Sequence, residues 1–485
     1  MELIPGTAWP ARTESDSPSD QSDSQASFLF IDYQDESTQA YAVAKRKQAF
    51  LKKQHYRFKR QERLQKLKAS IEPLPSHPRV ASWDRALQPG ALDPFSSFAD
   101  YMTDNMCFYF HYYRTHCALS IYPFAATEIA TRWLQQGVGN SALLHILLST
   151  SATHRLYRGA LVQMHPIVQK SHRDSLKFRA ITLKQLQSLV QSQADALLES
   201  TLFTIAHLIC VEAADANLEA AECHLSGLLR MVDLKGGLDA LSWETVSMIY
   251  SADIMSGLIR KSGPVFPITV RWRTEVLGTL DIAYPKGGTT EPSLVGCSFF
   301  DSPWSKALPP SLLTTIRLFR RITHCLSTKG PAEVRVLDEW VGYAIHRSLS
   351  LVHDCIACEM HECLRLSVLL FSVVQIRTFG SMPCIDSLVI TFRNRLRTEL
   401  PLLHRMAPDL SFWMLFTGGM ASQGRSSRAW FMAHLAEIAE QLSLKEWDTV
   451  LPLLKRFLFI AQRDDTHPEA LWDDVKRQQA LEHDA

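Results

Sequence analysis

The residues of this chain that could do chemistry crowd most densely into HDCIACEMHEC (353–363), where His353, Cys355, Cys358, His361 and Cys363 fall within eleven positions. Thiolates and imidazoles bind zinc, but a structural zinc needs four ligands converging tetrahedrally. On one continuous helix Cys355, Cys358 and His361 share a face while His353 and Cys363 point elsewhere. The next cysteine, Cys384, stands alone. Lacking a second ligand pair, the cluster reads as apolar cysteines within one helix, LSLVHDCIACEMHECLRLSVLL (349–370), with no metal and no cofactor expected. GVGNSA (137–142) has the G-x-G-x-x-A spacing of a dinucleotide loop. That loop needs a strand before it, and TRWLQQ has no strand pattern, so the segment reads as a turn capped by Asn140 and Ser141. No G-x-S-x-G, P-loop or H-E-x-x-H pattern occurs. His207 and His224 lie in apolar helices, where a hydrogen-bonded core imidazole is commoner than a catalytic one. No enzyme is expected.

The strongest electrostatic feature is KRKQAFLKKQHYRFKRQERLQKLK (45–68), with eleven cations and one acid in a chain whose net charge is +1. Lys45, Arg46 and Lys47, then Lys52 and Lys53, then Arg57, Lys59, Arg60 and Arg63 form clusters of the kind read by a nuclear import receptor. Tyr56 and Phe58 interleave with the cations, so non-specific contact with DNA phosphates is a second role. A solvated basic helix without a partner is a third. It is not a basic zipper, since Leu64, Leu67 and Ile71 cover barely one heptad before Pro73. Nor does it build the wide apolar face a membrane helix needs.

Around these residues the chain divides by texture. Residues 1–27 hold the Ser/Asp-rich ARTESDSPSDQSDSQAS and are expected to be a disordered tail. Residues 28–72 hold the apolar island FLFIDY and the basic segment, helical from near Ser37. Residues 73–92 form a Pro-rich linker. From residue 93 to 478 apolar residues recur at helical spacing, and 479–485 are a short tail. Leu218, Ala221, Leu225, Leu228 and Val232 share one face, and that helix ends at Lys235-Gly236-Gly237 with a glycine cap. Leu198, Leu202, Ile205 and Ile209 repeat the pattern, as do Leu176, Ala180, Leu183, Leu186 and Val190. Long alternating runs are absent, so the body is all-α, an irregular multi-helix array. Pro and Gly residues between about 263 and 310 mark an irregular loop joining two helical halves. The longest uncharged apolar run, 366–376, is too short to span a bilayer. Ten irregularly spaced cysteines read as reduced thiols.

Four blocks resemble the fungal-specific transcription-factor domain: AAECHLSGLLRMVDLKGGLDAL (220–241), IYSADIMSGLIRKSGPVFP (249–267), FWMLFTGGMASQGRSSRAWF (412–431) and EWDTVLPLLKRFLFIAQRDDTHPEALWDDV (446–475). The resemblance implies an all-α fold, a nuclear location and regulation of transcription, often of a metabolic or secondary-metabolite gene set. His224, Gly227, Gly236, Gly237 and Asp253 belong to the blocks and read as helix packing, a cap and polar anchors. The family's zinc cluster needs six cysteines, whereas the first here is Cys107, so the resemblance is to a member without that cluster. Sequence-specific DNA reading is then expected from a partner that keeps one. The alternatives are a helical scaffold or co-regulator working through protein contacts alone, and an enzyme or small-molecule sensor with a pocket between helices.

Overall fold

Short polar side chains start the main helices. Thr103, Asn140, Asn217 and Ser242 each accept a backbone N–H three residues on, at 3.0–3.4 Å. Such caps satisfy donors that the first turn of a helix leaves open. A computed structural model describes residues 100–122, 126–283, 295–327, 337–351, 358–461 and 468–483. The expected tail, basic helix and linker lie outside them. The described residues are all-α, with no strand among them.

The helices used below are α1 (Asp104–Tyr112), α2 (Ala126–Val138), α3 (Ser141–Leu161), α4 (His165–Leu189), α5 (Glu199–Ala214), α6 (Leu218–Leu234), α7 (Trp243–Arg260), α8 (Val270–Ala283), α9 (Pro310–Ser327), α10 (Leu337–Ser350), α11 (Glu359–Phe371), α12 (Asp386–Met406), α13 (Pro408–Ala421), α14 (Arg428–Gln441), α15 (Trp447–Lys455) and α16 (Pro468–His483). GVGNSA is the turn between α2 and α3, with Asn140 as the cap.

Helices α3 and α4 form an antiparallel hairpin. Thr182 Oγ1 reaches the Ala142 carbonyl at one end, Ser149 meets Ser175 in the middle, and Arg155 meets Ser171 near the other end. The buried face of α4 is therefore Ser171, Ser175, Phe178, Arg179, Thr182 and Leu186. This corrects the apolar face expected from the sequence: Leu176, Leu183 and Val190 are exposed, and only Leu186 of that set is buried. Hydroxyls allow close helix approach and bond across the seam. Arg179 is drawn inward by Glu212 at 3.1 Å and by Asp215.

Helix α5 is buried on all sides from Thr201 to Ala214 except at half-buried Cys210, and packs against α3, α6 and α7. On α6, Ala221, Leu225, Leu228 and Val232 face inward as the spacing predicts. Its end is a Schellman motif: Gly236 N–H bonds Asp233 O at 3.1 Å, Gly237 N–H bonds Val232 O at 2.9 Å, and both glycines have positive φ.

Two further expectations need correcting. The stretch from 263 to 310 contains helix α8, whose Trp272, Val276 and Leu280 are buried. The helix drawn through 349–370 is broken: α10 stops at Ser350, and Cys358 is an extended cap (φ −146°) before α11. No proline or glycine marks that break. Buried Arg365 instead ties α11 back to α10 by donating to the Ser348 carbonyl at 2.9 Å, while within α11 it pairs with Glu362 through two 2.7 Å bonds.

One apolar core runs continuously from Met102 to Val475. Its first and last thirds meet where Arg377 donates to the Ile121 carbonyl at 2.6 Å and Thr378 Oγ1 to the Ser120 carbonyl at 2.9 Å.

Candidate functional site

A cavity of about 90 Å³ opens inside this core. Helix α7 lines it with Met248, Ser251 and Met255, spaced three and four apart on one face. Buried α5 contributes His207 and Cys210, and α10 contributes Gly342, whose missing side chain leaves room beside Ile254. A smaller recess of about 60 Å³ shares the walls Tyr122, Ser251, Ile254, Gly342 and Arg377. Arg132 and Glu244, 3.6 Å apart, stand on its rim.

Burial governs the electrostatics of the walls. It pushes the His207 imidazole down to about 4, so the ring is neutral near pH 7. His207 Nδ1 lies 3.1 Å from the Phe203 carbonyl, and its ring packs edge-on to Trp133. Nε2, equally buried, has no hydrogen-bond partner among the described residues. Burial raises the Cys210 thiol to about 12 and the Tyr113 and Tyr122 phenols well above their ordinary value, so none ionises near neutrality. Glu339, in the recess, is also raised by burial, although it accepts bonds from Trp243 at 3.2 Å and Ser247 at 3.4 Å. Arg377 is committed to the Ile121 and Asp338 carbonyls and to the Asp338 carboxylate at 3.5 Å. The thiol is therefore a poor nucleophile, and the chamber presents itself to a ligand as a neutral surface.

The backbone is irregular at this place. The π-helical turns Tyr113–Cys117 and Ser372–Ile376 each put a residue, Tyr113 and Val373, on the cavity wall. Such turns recur at functional sites. Thr378, between the wall residues Arg377 and Phe379, has φ +49°. A β-branched residue there is strained and is held by its bond to Ser120.

The residues singled out from sequence lie elsewhere. Lys45, Arg46, Lys47, Lys52, Lys53, Arg57, Lys59, Arg60 and Arg63 fall outside the described residues, as do His353 and Cys355. His224 is half-buried, and burial lowers its pKa. Asp253 is wholly buried and accepts the N–H groups of Val265 and Phe266 at 2.9 and 2.7 Å. Burial nevertheless raises its pKa. Gly227 is exposed with open space where a Cβ would stand, so close packing does not explain it. Cys363 is buried, its thiol raised to about 12 by burial. No metal-binding cluster occurs among the described residues. Of the cavity wall, sequence reasoning named His207 and nothing more, because the other groups come from positions 113 to 382.

No helix among the described residues is long and apolar enough to cross a membrane. Residues 108–298 match the family model of the fungal specific transcription factor domain. The blocks at 412–431 and 446–475 lie beyond the matched segment. No curated protein and no solved structure matches the chain.

Proposed function

We propose, from the premise that the chain carries a fungal specific transcription factor domain across residues 108–298, that it is a nuclear transcription regulator rather than an enzyme. The observation that carries this is the match itself, falling on helices α1 to α8 of an all-helical body. In this reading the body is the regulatory domain, and its targets are a metabolic or secondary-metabolite gene set. The basic segment Lys45–Lys68 is the import signal and adds sequence-blind affinity for DNA. Six phosphate contacts from its eleven cations would weaken binding about a thousandfold between 50 and 200 mM salt. Choice of sequence falls to a partner that keeps a zinc cluster.

Two measurements on the tagged full chain test the reading. Replacing Lys45, Arg46, Lys47, Lys52, Lys53, Arg57, Lys59 and Arg60 by Ala should move the protein to the cytoplasm without unfolding it. Chromatin mapping of the wild type should find discrete promoters, and occupancy should vanish when the partner is removed. Unchanged nuclear accumulation of the variant would refute the import role. Tight binding of the isolated protein to one DNA sequence at physiological salt would refute the need for a partner. Nuclear accumulation with no chromatin occupancy would make it a co-regulator acting through protein contacts.

A further inference from the structure

We propose that the recess beside Glu339 binds the ammonium group of a small alkylammonium ion. Unlike the neutral cavity next to it, the recess is acidic: Glu128, Glu244, Asp338 and Glu339 stand on its walls against the guanidinium groups of Arg132 and Arg377. Both guanidinium groups are already taken. Arg132 lies 2.9 Å from Glu128 and 3.6 Å from Glu244, and Arg377 lies 3.5 Å from the Asp338 carboxylate. Of the four carboxylates, Glu339 is left without an ion pair among the described residues, and Arg377 acts on it only from beyond pairing distance. Its position is nonetheless fixed. Oε1 accepts from the Trp243 indole N–H at 3.2 Å and from the Ser247 hydroxyl at 3.4 Å, and the Trp272 indole N–H donates to Ser247 Oγ at 3.3 Å. Burial raises the carboxyl in spite of these donors, as happens where neighbours do not make up for lost hydration. A cation beside Glu339 supplies the counter-charge it lacks.

The other walls suit an organic cation better than a metal ion. Trp133, Trp243 and Trp272 line the recess from α2, α7 and α8. Trp243 and Trp272 stack with ring centroids 6.0 Å apart, and Tyr250 lies 4.6 Å from Trp272, so the aromatic wall is braced from behind. The face of an indole attracts cations more strongly than any other side-chain ring. Trp133, Trp243, Ser247 and Glu339 line the space and are only half-buried, so they keep surface for a ligand to meet. Ile129 and Ile254, also on the walls, match the alkyl part. An anion would meet carboxylates with no free guanidinium, and an uncharged molecule would leave Glu339 without a counter-charge. Size sets the remaining limit. The recess, at about 60 Å³, has room for roughly four groups the size of a water, at some 10–15 Å³ each. Propylammonium, with four non-hydrogen atoms, is of that size. Only the regulatory meaning of such binding rests on the reading as a transcription regulator, and the binding itself is measurable without it.

The probes are propylammonium and 1-propanol, near-isosteres of which only the first is charged. In calorimetric titrations of the purified full chain, with sodium chloride holding the ionic strength constant, propylammonium should bind one to one. Its affinity should exceed that of 1-propanol by about tenfold or more, the ratio expected for one cation held by an indole face and a carboxylate. Glu339→Gln keeps an oxygen to accept from Trp243 and Ser247 and removes only the charge, so the preference should fall below about threefold. Trp243→Leu removes the ring and should lower the preference as well. In the wild type, propylammonium should shift the indole N–H resonance of Trp243, whose acceptor is Glu339, and 1-propanol should leave it in place. Absence of propylammonium binding, equal affinity for the two probes, or a tenfold preference surviving in either variant would each overturn the proposal. If neither variant folds, the wild-type affinity ratio and the Trp243 resonance decide it alone. Chromatin occupancy enters none of these readouts, so failure here and failure of the regulator reading are distinguishable.

Discussion

Arg179 and His207 show how much this fold asks of single buried side chains. Arg179 holds Glu212 and Asp215, and those carboxylates also accept bonds of 2.7 Å from Asn217 and Tyr157. Arg179→Met should cost about 3–5 kcal/mol, because removing one partner strands the others without their counter-charge. A loss of unfolding free energy below about 1 kcal/mol in denaturant titrations would contradict this. His207 predicts a pH dependence. Its folded pKa, about 4, lies below the ordinary 6.5, so the unfolded chain takes up the proton first as pH falls. The stabilisation is present in full above about 6.5 and is lost progressively toward pH 4, about 3 kcal/mol in total. Burial lowers His346 and His404 in the same direction. Denaturant titrations from pH 7.5 to 4 should show the decline, and His207→Leu should make it shallower. An unchanged slope in that variant would assign the acid sensitivity elsewhere.

The two glycines at helical positions 227 and 418 make opposite predictions at the scale of elements. A Cβ at Gly418 on α13 would overlap the Phe431 ring of α14, whereas one at Gly227 on α6 meets nothing within 4 Å. Gly418→Ala should therefore destabilise by roughly 1–3 kcal/mol through overpacking. Gly227→Ala should stabilise by about 0.5–1 kcal/mol through helix propensity. Thermal melts that rank them the other way would refute the packing described here. The class of fold and the inward face and glycine stop of α6 were legible because apolar spacing and positive-φ glycines are local signals. The inward face of α4 was not, since counting apolar residues passes over Ser171, Ser175 and Thr182, which bond across a helix pair. The break before Cys358 was hidden for a related reason: Arg365 ties the restarted helix to the Ser348 carbonyl of α10, a tertiary contact that no local pattern announces. The cavity lay further out of reach, because its walls share no stretch of chain.

At the scale of the molecule, the matched segment and the folding unit are different things. The match ends at residue 298, while the core continues to Val475, and Arg377 and Thr378 bond back to Ile121 and Ser120. A fragment of residues 100–298 should be helical by circular dichroism. It should nevertheless bind hydrophobic dyes and melt without a sharp transition, since it lacks the surfaces that cover α5 and α7. A cooperative melt and low dye binding by that fragment would show that the matched segment folds alone.

The bonds from Arg377 and Thr378 to Ile121 and Ser120 also impose an order of events during synthesis. Some 256 residues separate the partners, so at about 5–20 residues per second the ribosome needs roughly ten to fifty seconds between them. Throughout that interval the nascent chain has the first third of its core without the last. Closing so long a loop is slow compared with pairing neighbouring helices. The chain should therefore be a client of ribosome-associated chaperones until residue 378 emerges, and translation stalled before that point should trap a bound, protease-sensitive intermediate.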